Sequence, residues 1–162
     1  MAEALVRDVK PGDCARLGRF FAAICEDETV TRFFHPHRFT LREARRVCSR
    51  SAAARDIYIV ALDEDEVIAY AMLRGWDQGY EVPSFGLCVL PAHQGAGLGS
   101  RLLDHALTCA GARGVQRVML KVHFDNHAAR RLYESRGFDF AKLDDDQLVG
   151  YKHLGGGAQN RE

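Results

Sequence analysis

The segment Gln94-Gly95-Ala96-Gly97-Leu98-Gly99 follows an apolar run that ends at Pro91 and leads into a helical stripe of Leu98, Leu102, Ala106, Leu107 and Ala110. Small residues at such a junction let successive backbone N–H groups converge on one point, and the helix start adds partial positive charge. A phosphate or pyrophosphate is the ligand this arrangement suits, and a plain tight strand-to-helix turn is the other use of the same glycines. Gly99 is followed by Ser100-Arg101, not by the Lys-Ser/Thr of a P-loop. The spacing is G-x-G-x-G rather than G-x-G-x-x-G, and the next strand end near Leu120-Lys121 carries no acid, so a dinucleotide fold is also disfavoured.

Other reactive residue types are less organised. Of the seven histidines, His35-x-His37 and His123-x-x-x-His127 have suggestive spacings. His123 ends a strand, however, while His127 belongs to the next helix, and no adjacent Cys or acid completes a ligand set, so no metal is expected. Cys14, Cys25, Cys48, Cys88 and Cys109 are odd in number and contain no C-x-x-C pair, which points to reduced thiols in a cytoplasmic protein. Arg42, Arg46 and Arg50 fall at steps of four, a basic stripe that reads either as a solvated face or as an anion-binding one.

The elements that must position these residues follow from period and punctuation. Ala4–Val9 is a strand stopped by Pro11-Gly12-Asp13, and Asp13 can cap a helix to about Glu26 that carries Leu17, Phe20, Phe21 and Ile24. Thr40-Leu41-Arg42-Glu43 is a capping box opening a second helix. Ile57–Leu62 and Val67–Leu73 form a hairpin around Asp63–Glu66, and Phe85–Leu90 is the strand before the glycine loop. Val115–Phe124 is a further strand, Asn126–Arg136 a helix closed by Gly137, and Phe138–Ala141 with Leu148–His153 a last hairpin turning at Asp144-Asp145-Asp146. Residues 1–154 read as one domain and 155–162 as a disordered tail.

Composition narrows the function. The chain has 162 residues, 47% hydrophobic and 27% charged, which suits one globular domain. Lys+Arg and Asp+Glu number 22 each, so the basic footprint of a nucleic-acid binder is absent. The apolar run Ile57–Leu62 is far below the roughly 20 residues that span a bilayer. Neither a nucleic acid nor a membrane is an expected partner.

Two blocks in order carry a resemblance. Val89-Leu90-Pro91-x-x-Gln94-x-x-Gly97-x-Gly99-x-x-Leu102-Leu103 resembles the acetyl-CoA motif Q/R-x-x-G-x-G/A of the Gcn5-related N-acetyltransferases. Val122-x-x-x-Asn126-x-x-Ala129-x-x-Leu132-Tyr133-Glu134-x-x-Gly137-Phe138 is similar to the strand, helix and closing signature of the same family. The resemblance covers about residues 4–154. It implies an α/β fold with a mixed sheet splayed between its fourth and fifth strands, flanked by helices, with acetyl-CoA in the cleft and no metal. It further implies that Gln94, Gly95, Ala96, Gly97, Leu98, Gly99 and Ser100 hold the pyrophosphate, and that backbone at Leu87, Cys88 and Val89 pairs with the pantetheine arm. Asn126 would bond that arm or the acceptor region, and Tyr133 would sit beside the sulfur.

Acyl transfer from a thioester to an amine needs a neutral amine, a stabilised oxyanion and a protonated leaving thiolate. Glu81 is the acid expected to line the cleft as base, with Asp77 and Asp125 as rivals and a solvent-facing turn as the alternative reading. Backbone N–H of Val89 suits the oxyanion, and Tyr133 is the expected proton donor, although a core tyrosine fits its helical spacing equally well. Asn126 also reads as the N-cap of its helix.

Phe34, His35, Trp76 and Glu81 are the expected acceptor-binding residues, an aromatic and polar mixture suited to a sugar or ring. The stretch Gly75–Ser84 looks similar to family members that modify amino sugars, so a small-molecule primary amine, free or nucleotide-linked amino sugar included, is the expected acceptor. A protein N-terminus or lysine, and a non-catalytic acyl-CoA-binding domain, are the competing readings. Similar proteins make a homodimer the default oligomer.

Overall fold

The computed structural model describes residues 3–50 and 53–155. The tail expected from residue 155 lies, beyond Gly155, outside them.

The seven strands are β1 (Leu5–Asp8), β2 (Ile57–Asp63), β3 (Glu66–Arg74), β4 (Ser84–Val89), β5 (Arg117–His123), β6 (Asp139–Lys142) and β7 (Gln147–His153). They form one mixed sheet in the order β1-β2-β3-β4-β5-β7-β6, in which only β4 and β5 pair in parallel. The helices are α1 (Cys14–Cys25), α2 (Glu28–Phe33), α3 (Leu41–Cys48), α4 (Leu98–Ala112) and α5 (His127–Ser135).

β2 and β3 are buried along almost their whole length because helices cover both faces. The pleat sends Tyr58, Val60, Tyr70 and Met72 to one side, where Leu17, Phe20, Phe21 and Ile24 of α1 pack with Ala44 and Val47 of α3. It sends Ile57, Ile59, Ala71 and Leu73 to the other, against Leu102, Leu103, Ala106 and Ala110 of α4. The continuous apolar runs in the sequence therefore reflect strands sandwiched between two cores.

Three local details differ from the sequence reading. Asp13 does not cap α1: Pro11–Asp13 forms a 3-10 turn running straight into the helix, and the helical backbone of Asp13 turns its carboxylate away from the helix N–H groups. That carboxylate is buried and accepts from both Arg7 Nη atoms (2.7 and 2.8 Å) and from the Lys10 N–H (2.7 Å). Half of the capping box forms, with Thr40 Oγ1 accepting from the Glu43 N–H at 3.1 Å, while the Glu43 carboxylate binds Arg46 instead of reaching back. An additional helix, α2, is capped by Asp27 Oδ1 accepting from the Val30 N–H at 3.0 Å. The Asp-x-x-Val cap is visible in the sequence, but six residues are too short a stretch for apolar period to announce a helix.

The Arg7–Asp13 pair joins β1 to the entry of α1. Hydrogen bonds from Arg7 hold the Asp13 carboxyl below the ordinary value of 3.8, against the opposing effect of burial. A lowered folded-state value means that this stabilisation is complete above the ordinary carboxylate range and is lost as pH falls through the folded value. Asp13→Ala, which leaves the Arg7 charge partly buried without its partner, should cost about 3 kcal/mol in urea unfolding at pH 7. The gap between variant and parent should narrow as the pH is taken below the ordinary carboxylate range.

Candidate active site

β4 and β5 are paired only at Ser84↔Met119 and Phe85↔Leu120. Beyond that point β4 continues along β3 as far as Val89, and β5 continues along β7 as far as His123, so the two halves of the sheet part company. Leu90 N–H bonds to Ile68 O on β3, and alternation along an antiparallel ladder then turns the N–H groups of Leu87 and Val89 away from β3, into the gap. The side chain of Tyr133 helps fill the fork, with its ring edge-on to Phe85 at 6.2 Å and tilted against Phe138 at 5.8 Å.

A cavity of about 420 Å³ occupies the gap. Leu87, Cys88 and Val89 line it from β4; Gln94, Gly95, Gly97, Leu98, Gly99 and Ser100 from the glycine loop and the start of α4; and Asn126 and Tyr133 from the α5 side. Ala96, expected with its neighbours, does not line it. Gly95 and Gly97 have φ of 80° and 81°, a left-handed backbone that glycine adopts without strain. In α4 the first helical acceptor is Gly97 O, bonded by the Arg101 N–H at 3.2 Å, so Leu98, Gly99 and Ser100 bring N–H groups that no helical carbonyl satisfies. Gln94 Nε2 donates to Val89 O at 3.2 Å and ties the loop to the strand end. A Cβ at Gly99 would lie 3.2 Å from Leu132 Cδ2, so the missing side chain lets α4 and α5 approach where they border the cavity.

Burial keeps the polar atoms near the fork neutral. The Tyr133 phenol is pushed well above its ordinary range by desolvation, and its hydroxyl has no hydrogen-bond partner among the described residues. The Cys88 thiol is likewise pushed well up by burial alone. Asn126 Oδ1 accepts from the Ala129 N–H at 3.3 Å, which caps α5 and leaves the amide N–H₂ for the cavity.

A second cavity of about 560 Å³ adjoins the first, sharing Phe33, Phe34, Gly86 and Lys121. Phe34 lies across β4 because residue 86 is glycine: a Cβ there would stand 3.1 Å from Phe34 Cε2. His35 lines this second cavity, and its Nδ1 lies 3.2 Å from Thr31 O. Two acceptor residues anticipated from sequence are elsewhere. Trp76 is buried in the core on the α4 side of the sheet, beneath the guanidinium groups of Arg113 and Arg55. Its apolar ring is more stable there than in a wet cleft. Glu81 is exposed on the loop before β4, lines neither cavity and forms no ion pair among the described residues. Its rivals are engaged: Asp77 accepts from the N–H groups of Arg55 (2.7 Å) and Asp56 (3.1 Å), and Asp125 pairs with Arg32 at 3.0 Å. No aspartate or glutamate lines either cavity among the described residues.

The arginine stripe lies away from the cavities: α3 ends at Cys48, so Arg50 falls beyond the helix, and Arg42, Arg46 and Arg50 line neither cavity. Arg46 pairs with Glu43 and donates to the Tyr58 hydroxyl, while Arg50 donates to Asp56 O and lies over the Tyr58 ring. Sequence reading missed α2, whose Thr29, Val30 and Phe33 roof the first cavity, and Lys121 and Leu132 across from them. Asp8, His105 and Cys109, the three-member group of metal-ligating types found among the described residues, have ligand atoms within 4.8 Å of one another and line neither cavity.

A family model described as the acetyltransferase (GNAT) family matches residues 21–138. The chain belongs to that family. The solved acetyltransferase of GNAT family from Streptococcus pneumoniae superposes with a TM-score of 0.77 at 23% identity, over 94% of this chain and 100% of that one. The yncA structure from Salmonella typhimurium, described with its cofactor acetyl-CoA, gives 0.72 at 21% identity over 99% of each chain. Both likenesses concern the fold, and the fork between β4 and β5 belongs to this GNAT architecture. Among curated relatives, the mycothiol acetyltransferase of Beutenbergia cavernae is 54% identical over 52 residues, 32% of this chain and 18% of that protein. The ribosomal protein bS18-alanine N-acetyltransferase of Escherichia coli K12 is 41% identical over 63 residues, 39% of this chain and 43% of that one. The matched stretches thus span less than half the length of these curated relatives.

The left-handed turn at Gly97 can be tested without a ligand. A Cβ there meets nothing within 4 Å, so Gly97→Ala acts through φ alone. The variant should be destabilised by about 1 kcal/mol in urea unfolding.

Proposed function

We propose that this protein is an acetyl-CoA-dependent N-acetyltransferase that acts on the primary amine of a small molecule by direct transfer within a ternary complex. The observation that carries the reading is the fork itself: unpaired β4 backbone beside the glycine-loop N–H groups, opening past Phe34 and Gly86 into a second cavity. The family supports it, and so does the yncA structure with acetyl-CoA. Acetyl-CoA, as acyl donor, supplies the activated thioester carbonyl.

The chain's residues divide the work by position. N–H groups of Gly95 and of Gly97 to Ser100 hold pyrophosphate oxygens, and the free β4 edge at Leu87 and Val89 pairs with an amide-bearing arm as an added strand would. Val89 N–H faces the developing oxyanion, a role worth roughly 3 kcal/mol where such donors have been removed. Tyr133 keeps its proton until the leaving thiolate needs one. Cys88, held neutral by burial, is a poor nucleophile, which favours direct attack by the amine over an acetyl-cysteine intermediate. With Glu81 outside the cavities, His35 is the residue proposed to take the amine proton. If its Nδ1–H donates to Thr31 O, the Nε2 lone pair is free.

The acceptor cavity, walled by Phe33, Phe34 and Tyr80, lies within the size range of small-molecule sites, and an amino sugar fits its aromatic and polar lining. A protein N-terminus is the second reading, favoured by relatives whose names place acetylation on ribosomal protein bS18. Unpaired thiols and an acetyl-CoA donor accord with a cytoplasmic setting.

Calorimetric titration should give micromolar acetyl-CoA binding that Gly97→Glu abolishes while the fold persists. Absence of binding by the parent protein would overturn the assignment. Tyr133→Phe removes a hydroxyl with no partner among the described residues, so the melting temperature should hold while kcat falls about a hundredfold. Unchanged kcat would remove Tyr133 from the donor role. His35→Ala should lower kcat by a comparable factor, about a hundredfold, with acetyl-CoA affinity retained. A fall confined to KM would make His35 a binding residue only.

A further inference from the structure

We infer that the acceptor carries an anionic group, a carboxylate or a phosphate, beside its amine, and that Arg74 and Lys121 recognise it. The inference rests on the acetyltransferase reading and deepens it. Arg74 on β3 and Lys121 on β5 are the charged side chains lining the second cavity, from opposite sides of the fork. The other polar side chains there are those of His35, Gln78, Tyr80, Ser84 and Gln147.

No carboxylate lines this cavity among the described residues, and Glu43, near enough for the Arg74 charge to help lower its pKa, is paired with Arg46. Arg7, Arg19, Arg32, Arg46, Arg101 and Arg136 each have an acidic partner; Arg38, Arg42 and Arg117 lack one among the described residues, but they do not line the second cavity. Arg74 and Lys121 have none among the described residues. Arg74 is half-buried and donates through Nη2 to Pro36 O, which fixes the guanidinium at the cavity wall. Its other N–H groups are not sealed away from solvent, so they remain available to a ligand. Two cations facing one cavity repel a simple ammonium, but an acceptor that brings its own anion offsets that repulsion with charge-assisted hydrogen bonds. A cavity without a carboxylate base is consistent with this arrangement.

The test measures acetyl-CoA-dependent thiol release with matched pairs: phosphoethanolamine against ethanolamine, glucosamine 6-phosphate against glucosamine, and β-alanine against β-alaninamide. The anionic member of at least one pair should have a kcat/KM about tenfold or more above its neutral partner. The phosphate and carboxylate arms tell which anion is read. Lys121→Gln and Arg74→Gln should each shrink that ratio, and added salt should shrink it in the parent. Lys121 has no side-chain partner among the described residues, so its variant remains informative if loss of the Pro36 bond unfolds the other. Neutral members turned over as well as anionic ones, or a ratio unmoved by Lys121→Gln, would overturn the inference while leaving the acetyltransferase reading intact. If no pair reacts, the anionic members are titrated into the acetyl-CoA complex, and no binding overturns the inference. Failure to bind acetyl-CoA would overturn the wider reading instead.

Discussion

Parallel pairing between β4 and β5 stops after Phe85 and Leu120, and the organisation of both cavities depends on that interruption. Backbone N–H and C=O groups left without a ladder partner are costly when buried dry, so such a fork persists only where a solvent-filled space or a ligand satisfies them. Each half of the sheet is secured on its other side. β4 is bonded to β3 through to Val89, and β5 pairs with β7 along all seven residues. Tyr133, wedged against Phe85 and Phe138, fills the crotch with an aromatic ring, so the opening does not collapse into further pairing.

From that constraint the rest of the site follows by placement. α4 follows β4 across the Pro91–His93 turn and the glycine loop, and the left-handed glycines at 95 and 97 bring its free N–H groups to the cavity beside the exposed strand edge. α5 starts where β5 ends, capped by Asn126, and contributes Leu132 and Tyr133 to the opposite wall. α2 lies over the gap, and Phe34 lies across Gly86 at the passage to the second cavity. The helices thus serve both as covers for the two cores and as suppliers of polar ends to one cleft.

Charge is distributed unevenly across this frame. Around the fork, burial holds Tyr133 and Cys88 in their neutral forms. In the second cavity Arg74 and Lys121 have no carboxylate beside them in the lining among the described residues, whereas Asp13, Asp77 and Glu43 are committed to partners elsewhere. His37 is similarly structural: burial lowers its pKa, and its Nε2 lies 3.0 Å from the buried Tyr70 hydroxyl, joining the loop before α3 to the sheet. A neutral-to-cationic cleft suits chemistry in which an amine must lose a proton and an oxyanion must be held.

Local signals in the chain were sufficient for the hairpin, the glycine loop, the Asn126 cap, the Gly137 stop and, through two motif blocks in order, the family and its splayed sheet. These features depend on residues close in sequence, where φ preference, capping and apolar period act directly. Glu81 and Trp76 were expected on the acceptor side, and the arginine stripe was read as a solvated or an anion-binding face. Which of them reaches a cavity depends on strand register and on competing partners many residues away: Trp76 finds the α4 core, and Arg46 and Arg50 find Tyr58. The cationic pair of the second cavity was hidden for the same reason. Arg74 and Lys121 are 47 residues apart in the chain, and only the order β3-β4-β5 brings them to one space.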